Sequence, residues 1–249
     1  MYTFHSRVRY SETAEDGRLS LHSAVNYFQD CSTFQSEELG VGVKALQEAH
    51  HAWLMNSWQV VLADRPALGE EIAVSTWAYG FKGCYGYRNF LIQDQSGNDL
   101  AYANSIWVYV DTQTGRPSRC SEDVVAAYPM EPAYPMEHAP RKIAVPATLT
   151  LQPSFFVQPS DIDTNHHVNN CCYIRMAADV LLTYAAANQT VLPSFRQVRA
   201  EYRSPAVLGD AVFPSFARTL TSQDSESYTV VLAAENEKIY CIVEFGQPC

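Results

Sequence analysis

The two halves of the chain repeat one order of local patterns, and this repetition constrains the fold more than any single motif. Each half begins with an amphipathic helix candidate preceded by acidic and small polar residues. One apolar face comprises Ala24, Tyr27, Phe28, Cys31 and Phe34, and the other comprises Val168, Cys171, Ile174, Ala178, Leu181 and Leu182. Each helix candidate is followed by a proline-containing turn, within 65–70 and 204–210.

Strand-like runs occur in both halves and are separated by short polar segments. They cover residues 71–78, 85–93, 100–110, 197–202, 210–220, 227–235 and 237–245. One long helix followed by antiparallel strands, occurring twice, predicts an α+β protein in which each sheet wraps its own helix. Trp58, Trp77 and Trp107 are interpreted as core aromatics of the first copy.

A proline-rich segment, 128–146, lies near the middle of the chain. Proline removes backbone donors and fixes φ, so this segment is predicted to be an extended connector. The predicted domains are therefore 1–127, a linker over 128–146, and 147–249.

Composition narrows the class of protein. The chain has 249 residues, of which 47% are apolar, enough for a full core. It shows neither a signal-peptide pattern nor an apolar run of about 18 residues, so we expect a cytosolic protein. The seven cysteines are scattered without a Cys-x-x-Cys pair, which argues against a disulfide framework or a zinc knuckle. A net charge of −10 argues against nucleic-acid binding.

Residues 161–170 read Asp-Ile-Asp-Thr-Asn-His-His-Val-Asn-Asn and directly precede the second helix candidate. Carboxylate, carboxamide and imidazole groups together provide the parts for general-base hydrolysis. In an extended segment, Asp163, Asn165 and His167 point to one side. Backbone N–H groups near Val168 and Asn169 are candidate oxyanion donors. The alternative is that Asp163 or Asn165 merely caps the helix.

The segment 161–174 is similar to the second-domain motif of acyl-acyl carrier protein thioesterases, an Asp-x-Asn-x-His-Val-Asn-Asn sequence with a following Tyr-Ile. Residues 103–108, Ala-Asn-Ser-Ile-Trp-Val, resemble a strand of the same family, and 7–37 resemble its opening strand and helix. The resemblance implies a tandem (double) hotdog fold.

This resemblance also implies an activity and its site. The expected reaction is hydrolysis of fatty acyl thioesters, which ends chain elongation, with Asp163, Asn165 and His167 as active-site residues. The implied partner is acyl carrier protein with a 4′-phosphopantetheine-linked chain, and neither a cofactor nor a metal is implied. The first copy is expected to be non-catalytic and to line the acyl pocket. A monomer and a homodimer both remain open.

The chain departs from the family pattern after Glu201-Tyr202-Arg203. Pro205 and Ala206 stand where the family has Glu and, in plant members, Cys, which argues against a cysteine nucleophile. Either Glu201 supplies the carboxylate, or Asp163, Asn165 and His167 act alone. The competing functions are an acyl-CoA thioesterase on the same fold and a non-catalytic module that binds acyl chains or the carrier.

Overall fold

The computed structural model describes residues 1–220 and 226–248. They form two compact units, one covering Met1–His138 and one beginning at Ala139. Each unit places one long α-helix against an antiparallel sheet, which confirms the predicted α+β class and the hotdog architecture of both copies. No helix in the described ranges is long and apolar enough to cross a membrane.

The N-terminal unit is built around α1. Its elements are β1 (Tyr2–Arg7), α1 (Leu21–Glu38), α2 (Val43–Glu48), β2 (His51–Leu62), β3 (Glu71–Lys82), β4 (Tyr85–Gln93), β5 (Asp99–Asp111), β6 (Arg116–Pro117) and α3 (Glu122–Ala127). The strand order is β1-β3-β4-β5-β2, and β6 pairs with β5. The predicted apolar face of α1 is buried, except that Phe34 is 45% exposed. Phe34 lies at the sheet edge, where its ring meets Phe4 of β1 edge-on at 5.5 Å.

The C-terminal unit repeats the plan around α4. Its elements are β7 (Thr150–Leu151), β8 (Phe155–Phe156), α4 (Asn170–Ala187), β9 (Gln197–Tyr202), β10 (Ala211–Leu220), β11 (Glu226–Ala233) and β12 (Ile239–Gly246). The strand order is β9-β12-β11-β10-β7, and β8 pairs with β10. Cys171, Ile174 and Leu181 are buried as predicted, but Leu182 is 59% exposed. Leu182 and the half-buried Ala178 are one turn apart, so both lie towards the outer side of α4.

The strand predictions succeed at β4 and β9 and fail at β2. The segments 85–93 and 197–202 are strands with the predicted bounds. Strand β2, which begins at His51, is absent from the predicted strands. Two features make β2 difficult to predict from the sequence. A bulge between Met55 and Ser57 interrupts its period of two, and the residues after the bulge are buried continuously.

The proline-rich segment packs against the sheets. The indole Nε1 of Trp77 donates to the Pro132 carbonyl at 2.9 Å, and Gln59 donates to the Glu137 carbonyl at 3.0 Å. Further along, Ile143 is buried, and its N–H donates to the Glu201 carboxylate at 2.8 Å. These bonds satisfy backbone groups that have no strand partner.

Candidate active site

The polar segment before α4 forms a tight turn. The N–H of Asp163 donates to the His167 carbonyl at 2.9 Å, and Ile162 forms an antiparallel bridge with Val168. The prediction of an extended segment with alternating side chains is therefore wrong. The Asp163 carboxylate accepts the N–H of Asn165 at 2.8 Å, a local bond that favours a turn over a strand.

The turn brings the predicted site residues together in a different way. Asp163 and His167 lie opposite each other at the neck and are half-buried, whereas Asn165 is exposed at the tip. The side chains of Asn165 and His167 make no hydrogen bond with any residue in the described ranges. The two groups are thus available to a ligand, while Asp163 orders the turn.

Neither of the predicted backbone oxyanion donors is available in this conformation. The N–H of Val168 donates to the Ala206 carbonyl at 3.0 Å, and that of Asn169 donates to the Asp161 carbonyl at 2.8 Å. The helix cap is Asn169, whose side chain accepts the N–H of Cys171 at 3.1 Å. Capping by Asp163 or Asn165 is therefore excluded.

A buried carboxylate anchors the turn from below. Asp161 is 3% exposed and accepts the Gln158 N–H at 2.8 Å and the Arg175 guanidinium at 2.5 Å. Arg175 also reaches Asp179, one helical turn away, at 3.0 Å. Asp161 therefore ties the start of the turn to helix α4. The sequence offered no sign of its partner, because Arg175 looks like an ordinary surface cation of the helix.

A cavity of about 410 Å³ opens beside this ion pair. It is lined by Phe155, Phe156, Gln158, Ser160, Asp161 and Arg175. None of Asp163, Asn165 and His167 is among its lining residues, so this cavity lies beside the base of the turn and apart from the predicted catalytic groups.

The loop in which the family usually carries Glu and Cys lies against the turn. Ala206 is fully buried, and its N–H donates to the Tyr173 hydroxyl at 2.8 Å while its carbonyl accepts from Val168. Position 206 is thus adjacent to the site but carries only a methyl group. A cysteine nucleophile at this place is excluded by the residue itself.

Glu201 is held away from the turn by other partners. Its carboxylate is buried and accepts the Ile143 N–H at 2.8 Å and Arg203 Nε at 3.1 Å. The next residue, Tyr202, points to the opposite face of β9, where its hydroxyl donates to the Asn170 carbonyl at the start of α4. The geometry therefore argues against Glu201 as the carboxylate of the site.

Cys172 has an environment that differs from those of the buried cysteines. It is half-buried in the first turn of α4. A hydrogen bond with the Cys171 thiol and the positive charge of Arg175 outweigh burial and lower the pKa of Cys172 to about 7. By contrast, burial raises the pKa of Cys31 to about 12. The difference depends on Arg175, whose position could not be inferred from the cysteine pattern.

Two hotdog units in one chain, with a polar turn ahead of the second long helix, define the protein as a double-hotdog protein. Comparison with protein families specifies it further. Residues 1–128 match the acyl-ACP thioesterase N-terminal domain, and residues 147–244 match the acyl-ACP thioesterase C-terminal domain. The chain belongs to the acyl-acyl carrier protein thioesterase family.

Individual relatives are distant in sequence. A chloroplastic acyl-[acyl-carrier-protein] hydrolase of Cuphea viscosissima is 26% identical over 81% of the chain and 52% of its own length. The chain spans about half the length of the first curated relatives it matches. Among solved structures, a putative oleoyl thioesterase of Lactobacillus plantarum has a TM-score of 0.85 at 23% identity, covering 98% of this chain and 94% of that one. An acyl-ACP thioesterase of Bacteroides thetaiotaomicron has a TM-score of 0.82 at 23% identity, covering 98% and 96%. These likenesses show the double-hotdog fold.

Proposed function

We propose that the protein hydrolyses fatty acyl thioesters of acyl carrier protein to free fatty acid and carrier thiol, and so ends chain elongation. Family membership supports the reaction class. The observation that carries the proposal is the turn before α4, because it presents the Asn165 and His167 side chains without any described hydrogen-bond partner beside an ordered carboxylate.

In the proposed mechanism, His167 accepts a proton from a water molecule, and the oxygen of that water attacks the thioester carbonyl carbon. The Asn165 carboxamide donates to the carbonyl oxygen as negative charge develops there. Collapse of the tetrahedral intermediate breaks the carbon–sulfur bond, and the leaving sulfur takes the proton from His167. Asp163 holds the turn closed by accepting the Asn165 N–H.

The assignment of the oxyanion to Asn165 follows from the occupied backbone groups. Because the N–H groups of Val168 and Asn169 already donate to carbonyl oxygens, they cannot bind the oxyanion without rearranging. The 18-residue helix α4 still contributes the positive end of its dipole beside the turn.

Acyl carrier protein is the proposed partner, and the N-terminal unit is proposed to accommodate the acyl chain. Arg199 pairs with Glu244 at 2.8 Å and Arg203 pairs with Glu201, so neither charge is left for docking the carrier protein. Cytoplasmic location remains a prediction, since curated plant relatives bear chloroplastic names.

The test supplies the purified chain with acyl carrier protein and with coenzyme A, each carrying the same medium and long acyl chains, and measures free thiol. We expect turnover on both with a higher kcat/KM on the carrier protein, because binding a protein partner adds interactions that coenzyme A lacks. Higher kcat/KM on coenzyme A would instead establish the acyl-CoA alternative. Absence of turnover on both carriers would leave the non-catalytic binding module as the function.

A further inference from the structure

A positive charge is buried beneath α1 without an opposite charge. Arg88 of β4 is 8% exposed, and its Nη1 donates to the Gln35 carboxamide and to the Thr76 hydroxyl. The guanidinium carbon lies 5.1 Å from the centroid of the Tyr128 ring. All of these partners are neutral, and no Asp or Glu in residues 1–220 and 226–248 forms an ion pair with Arg88. Arginine remains charged in proteins even though burial lowers the pKa of Arg88.

An unpaired donor lies in the same row of the sheet. Arg88 of β4 and Trp58 of β2 both pair with Ser105 of β5, so the three residues stand side by side across three strands. Trp58 is 2% exposed, and its indole Nε1 has no hydrogen-bond partner in the described chain. Residues in register share a face of the sheet, so both donors belong to one surface.

Helix α1 covers this row. Phe28 stacks on Trp58 with ring centroids 6.2 Å apart, and seven residues later Gln35 contacts Arg88. The middle of the row is small, because Ser105 is buried between the two large side chains. We call Trp58, Ser105 and Arg88 the donor row.

The donor row therefore contains one N–H group without an acceptor, on Trp58, and one charge without a counter-charge, on Arg88. A buried N–H without an acceptor destabilises the folded protein, and a buried charge without a counter-charge destabilises it more. The end of a saturated acyl chain would increase this cost, because its methyl group accepts no hydrogen bond and displaces water. An oxygen acceptor would satisfy the row, and a carboxylate would also neutralise Arg88.

We propose that the donor row binds the distal end of an acyl chain that carries an oxygen acceptor there, with a carboxylate preferred over a hydroxyl. This inference rests on the proposed function, in which the N-terminal unit accommodates the acyl chain. It assigns specificity to the donor row and leaves the hydrolytic groups of the C-terminal unit unchanged.

The experiment compares acyl chains of equal length on the same acyl carrier protein, with an ω-carboxyl, an ω-hydroxyl or an unsubstituted end. We expect kcat/KM for the ω-carboxyl chain to exceed that for the unsubstituted chain by about tenfold or more, because a site built for hydrogen bonds rejects a ligand that lacks them. Trp58→Phe and Arg88→Met should each bring this ratio closer to one. Arg116→Met changes an exposed arginine and serves as the matched control, which should keep the ratio of the wild type.

A wild-type preference for the unsubstituted chain would overturn the inference and leave the row filled by water or by its present contacts alone. The inference would also be overturned if neither variant changed the ratio of kcat/KM between the ω-carboxyl and unsubstituted chains. If Arg88→Met does not fold, Trp58→Phe alone decides. A second measurement separates this inference from the proposed function. The free diacid should raise the melting temperature of the wild type more than the unsubstituted fatty acid of equal length does, even if no thioester is hydrolysed, and equal shifts would contradict the donor row as a binding site.

Discussion

The turn before α1 and the turn before α4 share a backbone but differ in what their side chains do. The Ala14 N–H donates to the Arg18 carbonyl at 2.9 Å, as the Asp163 N–H donates to the His167 carbonyl at 2.9 Å. Both turns contain a residue with left-handed backbone at the same place. It is Gly17, with φ of 74°, in the first turn and His166, with φ of 62°, in the second. One backbone design therefore precedes both long helices.

This match fixes which residues correspond between the two copies. Asp163 corresponds to Ala14, Asn165 to Asp16 and His167 to Arg18. The N-terminal turn nevertheless has neither Asn nor His at the corresponding positions.

The charged groups of the N-terminal turn are bound to one another. Arg65 donates to the two carboxylate oxygens of Asp16 at 2.6 and 3.0 Å, and Arg18 donates to the Arg65 carbonyl at 2.6 Å. In the C-terminal turn the corresponding side chains, Asn165 and His167, have no such partners among the described residues. The same turn thus stabilises the fold in one copy and presents polar groups in the other.

Substituting His167 should have the largest effect. We expect His167→Ala to reduce kcat on acyl carrier protein substrates by about two orders of magnitude or more, because a positioned base is lost. The matched variant Arg18→Ala removes the corresponding side chain and should change kcat less than threefold, by about 0.6 kcal/mol or less. Free-thiol release measures both. Similar losses in the two variants would end the functional distinction between the turns.

The carboxylates beneath the turns provide a second comparison. Asp161→Asn should lower the free energy of unfolding around α4 by about 2 kcal/mol, because it weakens the bond between the buried Asp161 carboxylate and Arg175. The loss is limited because the Arg175 side chain is partly exposed to solvent. Glu12→Gln affects α1 and should cost about 1 kcal/mol, since Glu12 accepts from the Arg9 N–H and the Tyr27 hydroxyl. Amide hydrogen exchange in the two helices reports each loss separately. A larger loss in α1 would reverse the proposed difference in anchoring.

The first turn of α4 has a cysteine, Cys172, where the first turn of α1 has a serine. Cys172, at the position occupied by buried Ser23 in α1, should react with iodoacetamide near neutral pH, since its pKa is lowered to about 7 by Cys171 and Arg175. The thiolate forms as pH rises through this value, so the rate should fall about tenfold per pH unit below it. Cys31, whose pKa burial raises to about 12, is the internal control. Peptide mass spectrometry measures the labelling, and equal labelling of the two cysteines would refute the assignment.

Much of the architecture was predictable because it depends on local pattern. The apolar faces of α1 and α4 repeat every three or four residues, and β9 alternates polar and apolar residues, so these elements could be predicted from the sequence. Strand β2 was not predicted, because its bulge and its continuous burial remove the alternation of polar and apolar residues. The sequence also determined which residues are present at the candidate site, namely Asp163, Asn165 and His167 with Ala206 in the neighbouring loop.

Only the tertiary structure decided how those residues are arranged. The side-chain bond from Asp163 to Asn165 N–H and the bridge between Ile162 and Val168 fold the segment into a turn. The Ala206 carbonyl accepts the Val168 N–H, so in the proposed mechanism a side chain, Asn165, binds the oxyanion in its place. The contact with Ala206 joins residues far apart in sequence, and no local pattern specifies it. The buried donor row under α1 emerged in the same way, because strand register alone places Arg88 and Trp58 on either side of Ser105.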